Sequence, residues 1–305
     1  MVTNPTISRR ALLGGLAALT LGPSAVARSG LLTKPIPKTG QRLPVIGMGS
    51  WLTFDVGEHQ DLRHRRLEVL RAFFAAGGAV VDSSPMYGSS EAVIGHCLAR
   101  LKEEESRALF AATKVWTPMK WLGIGQMRHS RQLWGRDFAL MQIHNMVDWQ
   151  SHLETLLEHK VAGRIRYVGI TTSHGRRHAE LEKVLASQPF DFVQLTYNML
   201  DRQAERRLLP LAAERGLAVI ANRPFQRGGL FQRLAHHPLP AWAAEIDCAN
   251  WAQVFLKLVV SHPALTCAIP ATSRVDHMRQ NMGALRGRLP DTALRRRMIA
   301  TVEAL

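Results

Sequence analysis

The chain has 305 residues, 46% of them hydrophobic, which is enough for one large core and ordinary for a single barrel domain. Its 39 Lys and Arg against 24 Asp and Glu give a formal net charge of +15. The aromatic residues do not interleave with the basic runs, however, and no recognition motif appears, which argues against a nucleic-acid partner. Clusters such as Arg63-His64-Arg65-Arg66 and Arg295-Arg296-Arg297 read as a solvated basic surface, with attraction of anionic substrates as the second implication. Cys97, Cys248 and Cys267 are odd in number and far apart, which argues against a disulfide framework and, for Cys97 and Cys267 in apolar runs, for packing.

Residues 1–27 contain no acidic residue. Ser8-Arg9-Arg10-Ala11-Leu12-Leu13 leads into an apolar run to Leu21, followed by Ala25-Val26-Ala27, the pattern of a twin-arginine export signal with a small-residue cleavage site. The run is too short for a stable membrane span. Expected from this segment are the twin-arginine translocation machinery as a partner, a periplasmic location, and a folded domain over residues 28–305.

A Pro- and Gly-bearing leader (Pro35 to Pro44) precedes Val45-Ile46-Gly47-Met48-Gly49-Ser50-Trp51, read as the first strand and its loop. Helical patterns then alternate with short apolar strands. Leu67–Ala76 leads to a strand near Val80, Glu91–Leu101 to one near Phe110, and Ile124–Leu133 to one near Leu140. Leu153–Val161 precedes Tyr167–Ile170, His178–Leu185 precedes Phe192–Leu195, and Ala204–Ala213 precedes Leu217–Ile220. Trp251–Val260 precedes Leu265–Ile269, and Val275–Gly283 closes the series. Strict alternation means parallel strands with right-handed crossovers, and eight such units predict an α/β fold of the (β/α)8 TIM-barrel type. An open doubly wound sheet is the alternative, but Gly47-Met48-Gly49-Ser50-Trp51-Leu52 lacks the third glycine of a dinucleotide-binding turn.

Three strand ends carry chemistry. Ala79-Val80-Val81 delivers Asp82, and the loop that follows turns at Pro85, carries Tyr87, and enters a helix capped near Ser89-Ser90 with Glu91 in its first turn. Phe110-Ala111-Ala112-Thr113 runs into Lys114, and Leu140-Met141-Gln142-Ile143 runs into His144. A lysine ammonium near a tyrosine would lower the phenol's pKa from about 10, and a carboxylate would hold that lysine in place. A buried Lys–Asp pair is costly to desolvate and so is hard to explain as scaffold alone. His174 and His178, four apart, read as a solvated helix face, and no metal site is expected.

The order and spacing of Asp82, Tyr87-Gly88, Lys114 and His144 resemble the aldo/keto reductase family, and the likeness spans nearly all of residues 40–285. The resemblance implies reduction of a small-molecule aldehyde or ketone with NADP(H). Tyr87 is then the proton donor, Lys114 and Asp82 its tuning pair, and His144 the residue that orients the carbonyl. It also implies cofactor contacts from Ser50, Trp51, Asp82, Thr171, Thr172 and Gln194 at the nicotinamide end. Thr172 stands where the family usually has an amide, and Asn222, beside Arg223, where it often has a stacking tyrosine. Thr272, Ser273, Arg274, Gln280 and Asn281 correspond to the adenosine-phosphate end, Arg274 being suited to a 2′-phosphate. Trp51 and Trp116, with Trp121 nearby, are candidates to wall a substrate pocket. Two other readings stay open on the same barrel: a nicotinamide-binding or redox-sensing subunit without turnover, and isomerase or lyase chemistry using Tyr87 and Lys114.

Overall fold

The computed structural model describes Met1 and residues 30–305, so the expected export signal of residues 1–27 lies, Met1 apart, outside the described residues. The segment read as a leader is a hairpin, β1 (Thr33–Pro35) paired antiparallel with β2 (Arg42–Pro44). Eight parallel strands follow: β3 (Met48–Gly49), β4 (Val80–Asp82), β5 (Phe110–Val115), β6 (Leu140–Ile143), β7 (Tyr167–Thr171), β8 (Phe192–Thr196), β9 (Ala218–Asn222) and β10 (Cys267–Ala268). Each pairs with the next in chain order, and bridges from Ile46 to Ala268 and from Gly49 to Ala271 join the last to the first. The ring is closed, so the open-sheet alternative is excluded.

The helices that cross between strands are α1 (Gln60–Ala75), α2 (Ser90–Leu98), α3 (Glu103–Ser106), α4 (Lys120–Trp134), α5 (Trp149–Val161), α6 (His178–Ser187), α7 (Leu208–Glu214), α8 (Gly229–Arg233) and α9 (Trp251–Ser261), and α10 (Val275–Gly283) and α11 (Thr292–Ala304) follow the last strand. The single helix expected over Ala204–Ala213 is divided, with a 3₁₀ turn at Gln203–Arg206 ahead of α7. The short α3 and α8 and the C-terminal α11 are additions to the expected series.

Period-two alternation sorts every strand into two faces. Val81, Ala111, Val115, Met141, Ile143, Val168, Ile170, Val193, Leu195, Val219 and Ala221 join the outer core beneath the helices. Phe110, Ala112, Leu140, Tyr167, Phe192, Ala218 and Ile220 point into the barrel. Phe110, Tyr167 and Phe192 form an aromatic floor with ring centroids 5.3–6.0 Å apart. Ile36 and Leu43 of the hairpin region pack into the same interior cluster, and Tyr167 Oη donates to Gln41 Oε1 at 2.8 Å, so the hairpin plugs this end of the barrel.

The same inward rows continue toward the strands' C-terminal ends and become polar. Asp82, Lys114, Gln142, Thr171, Gln194, Thr196 and Asn222 lie in phase with the apolar floor residues of their own strands. Gly169, register partner of Gln142, provides the room, since a Cβ there would lie 2.9 Å from Gln142 Cγ.

Glu91 stands in the first turn of α2, as expected, but faces inward. Its carboxylate is buried and accepts from Thr113 Oγ1 at 2.5 Å, Ser130 Oγ at 2.7 Å and Trp134 Nε1 at 3.2 Å, tying α2, β5 and α4 together. The expected cap fails because Ser89 Oγ is instead bonded to Asp55 Oδ1 and Gly57 N. Gly95 lets α2 and α4 approach, its absent Cβ falling 1.8 Å from Leu133 O. Helix propensity alone favours Gly95→Ala by about 1 kcal/mol. We expect the substitution instead to destabilise by about 1–3 kcal/mol through overpacking, read as a lower urea midpoint. A raised midpoint would show that the two helices can move apart freely.

Candidate active site

Four strands converge on one carboxylate. Lys114 Nζ donates to Asp82 Oδ2 at 2.5 Å and to Ser83 O at 2.7 Å, and the Lys114 and Asp82 side chains are 0% and 2% exposed. Asp82 Oδ1 accepts from Gln142 Nε2 at 2.9 Å and from Gln194 Nε2 at 3.0 Å. Taking such a pair out of water costs several kcal/mol per ion. Here each ion meets polar partners on several sides, so neither charge is stranded. The ammonium sits 5.1 Å from the centre of the Tyr87 ring, and that ring meets His144 edge to face at 5.6 Å. The structure therefore brings Asp82, Tyr87, Lys114 and His144 into one cluster at the strands' C-terminal ends.

The electrostatics correct one expectation. Burial pushes the Tyr87 phenol up, and the opposing pull of the Lys114 ammonium does not offset it. Tyr87 is a neutral phenol holding its proton rather than one poised to ionise. Burial would lower the Lys114 ammonium, but attraction to the Asp82 carboxylate, with hydrogen bonding to Asp82 and Tyr87, outweighs burial and places it above the ordinary lysine value. Burial, with the Lys114 charge beside it, drives His144 down to about 2, so its imidazole is neutral.

The folded state thus binds the His144 proton far more weakly than the unfolded chain does. Stability from this group is complete above the ordinary histidine range near 6.5 and is lost as the pH falls toward 2. We expect unfolding free energy below pH 6 to fall with a slope steeper by about 1.4 kcal/mol per pH unit in the native chain than in His144→Asn. Equal slopes in denaturant titrations at pH 4, 5 and 6 would contradict the buried neutral imidazole.

A cavity of about 450 Å³ opens above the cluster. Ser50, Trp51, Asp82, Tyr87, His144, Thr171, Thr172, Gln194, Asn222 and Arg223 all line it, whereas Lys114 lies sealed beneath. Thr171 Oγ1 accepts from Asn145 N at 2.9 Å, and Thr172 Oγ1 donates to Arg176 O at 2.5 Å. Asn222 is held from both sides, its Nδ2 donating to Thr172 O at 3.0 Å and its Oδ1 accepting from Thr196 Oγ1 at 2.7 Å.

Other expected residues lie elsewhere. Trp116 is 41% exposed and is not part of the cavity wall, because the Gln126 side chain grips its backbone N and O at the start of the β5–α4 connection. Trp121 is exposed on α4. Thr272, Ser273, Arg274, Gln280 and Asn281 follow β10 into α10, outside the lining. Arg274 donates through Nε and Nη2 to both Asp276 oxygens, at 3.0 and 2.5 Å, and Ser273 O accepts from Arg66 Nη1 at 3.3 Å. His174 and His178 do not share a helix face: the backbone turns left-handed at His174 and Arg177, leaving His174 in the cavity wall and His178 at the start of α6.

Gln142, Ser84 and Arg227 were not anticipated as site residues, and His174, expected on a solvated helix face, lines the cavity instead. Gln142 carried a usable signal, being an amide in an apolar strand in phase with Leu140. Arg227 lies 4.5 Å over the Trp51 ring, a contact between distant loops that no local pattern announces.

The sequence profile of the aldo/keto reductase family matches residues 45–297. The chain belongs to the aldo/keto reductase family. Among curated aldo/keto relatives it is similar to methylglyoxal reductase YeaE of Escherichia coli, 27% identical over 260 residues that span 83% of this chain and 89% of the relative. A second Escherichia coli protein, an NADH-specific methylglyoxal reductase, is 25% identical over 68% of this chain and 72% of its own length. Two solved aldo-keto reductases share the fold. One is from Klebsiella pneumoniae in complex with NADPH, with TM-score 0.73, 23% identity and coverage of 90% of this chain and 95% of that one. The other is the holo form of a Bacillus halodurans enzyme, with TM-score 0.72, 20% identity and coverage of 90% and 96%.

Proposed function

We propose that the chain is an NADP(H)-dependent oxidoreductase that reduces an aldehyde or ketone to an alcohol, with Tyr87 giving the proton. The observation that carries this reading is the neutral Tyr87 phenol at the cavity floor with the Lys114 ammonium 5.1 Å from its ring. The cavity also fits a phosphate-bearing nucleotide. Arg223 lines it with a buried Nη1 that has no hydrogen-bond partner among the described residues. Burial and the charge of Arg227 both disfavour its guanidinium, so an anion placed there is stabilised. Arg223, Arg227 and His174 would hold the phosphates, and Ser50, Thr171, Thr172, Gln194 and Asn222 would face the nicotinamide end. Arg274 is the cation for a 2′-phosphate, which would compete there with Asp276.

A bound nicotinamide supplies the hydride. Tyr87 donates its proton to the oxygen that is gaining charge, and Lys114 then stabilises the phenolate left behind. Asp82 keeps Lys114 charged and fixed, while Gln142 and Gln194 keep Asp82 from turning away. His144, neutral, orients the carbonyl without competing for the proton.

Two Escherichia coli relatives are named as methylglyoxal reductases, so methylglyoxal belongs in the first carbonyl panel. We expect NADPH oxidation with at least one member of the panel, and a fall in kcat of about 10²–10⁴-fold in Tyr87→Phe with NADPH binding retained. Tight NADPH binding without turnover of any carbonyl would favour the sensing subunit instead.

We propose further that residues 1–27 route the folded, nucleotide-loaded enzyme through the twin-arginine machinery to the periplasm, a reading supported by Arg9-Arg10 and the Ala25-Val26-Ala27 site. Replacing Arg9 and Arg10 with lysine is expected to leave the protein in the cytoplasmic fraction. Unchanged periplasmic recovery, or native periplasmic protein that binds no nucleotide, would refute that route.

A further inference from the structure

His144 is neutral, so only one ring nitrogen carries a proton, and which one decides whether the ring can donate to a carbonyl oxygen. Nδ1 lies 2.8 Å from Ser84 Oγ, in a serine that is 0% exposed. Nε2 has no protein partner among the described residues and opens to the cavity beside Tyr87.

Ser84 Oγ also accepts from the backbone N–H of Met86 at 3.2 Å. If Nδ1 carried the proton, Oγ would accept twice and its own hydroxyl hydrogen would have no acceptor in a buried position, the arrangement that proteins avoid. If Ser84 donates to Nδ1, every group at the junction is satisfied, and the Met86 N–H polarises the hydroxyl toward donation. We propose that Ser84 is a positioning residue that fixes His144 as the Nε2–H tautomer, so that His144 and Tyr87 present two donors to one carbonyl oxygen.

The inference rests on the reductase reading for its catalytic meaning, but its central test does not need turnover. Long-range ¹H–¹⁵N NMR of the full chain labelled at histidine is expected to show His144 with a protonated Nε2 and a bare Nδ1 from pH 5 to 8. Ser84→Ala, checked for fold by near-ultraviolet circular dichroism, is expected to lose that single tautomer, and Ser84→Thr to restore it. With a carbonyl that the native enzyme turns over, kcat of Ser84→Ala is expected to fall by on the order of tenfold or more while NADPH affinity holds. A protonated Nδ1 in the native chain, or the same tautomer in Ser84→Ala, would overturn the assignment. The expected tautomers without carbonyl turnover in the native chain would leave Ser84's positioning role standing and defeat the reductase reading alone.

Discussion

The structure depends on a full charge kept where water does not reach. Lys114 and Asp82 are in contact at 2.5 Å in the mouth of a closed barrel, and the surroundings are arranged so that neither ion is left unpaired. Asp82 receives the ammonium on one oxygen and two amides on the other, while Lys114 spends a second proton on a backbone carbonyl. Removing one partner would strand the other, a loss of about 3–5 kcal/mol. A pair with that cost is retained most readily where its charge is used, and the group beside it is the Tyr87 phenol.

Strand register makes the arrangement possible. Lys114 sits opposite Gln142, and Thr171 opposite Gln194, so neighbouring strands bring their inward polar residues to similar heights. Below them Phe110, Tyr167 and Phe192, backed by the hairpin, close the barrel to solvent. The dry floor lowers the local dielectric, so the same ammonium acts on Tyr87 more strongly than it would at a surface. It also raises the phenol, and that second effect is the larger one.

Much of this could be read in advance because period and position are local properties. The eight apolar runs, and Asp82, Lys114 and His144 at three of their ends, follow from alternation and from the habit of α/β folds of placing chemistry beyond strand ends. Other features depended on contacts between distant segments. The hairpin was hidden because Pro35 and Pro44 resemble linker punctuation, and its role comes from packing against strands far away in the chain. Glu91 was placed in the first turn of α2, where it stands, but its partners Thr113, Ser130 and Trp134, which draw it inward, lie far along the chain. Trp116 has the residue type for a pocket wall, yet Gln126 fixes its backbone outside it. The direction of the Tyr87 shift was misread because burial is a sum over the whole fold, whereas the lysine beside it could be inferred from one motif.

Lys114 remains an ammonium because Asp82 holds it, and NMR titration of lysine side-chain ¹⁵Nζ measures that directly. In the native chain Lys114 is expected to keep its proton past the pH at which surface lysines lose theirs. In Asp82→Asn burial then dominates, and Lys114 is expected to deprotonate below them. A Lys114 signal that titrates together with the surface lysines in both proteins would contradict the account.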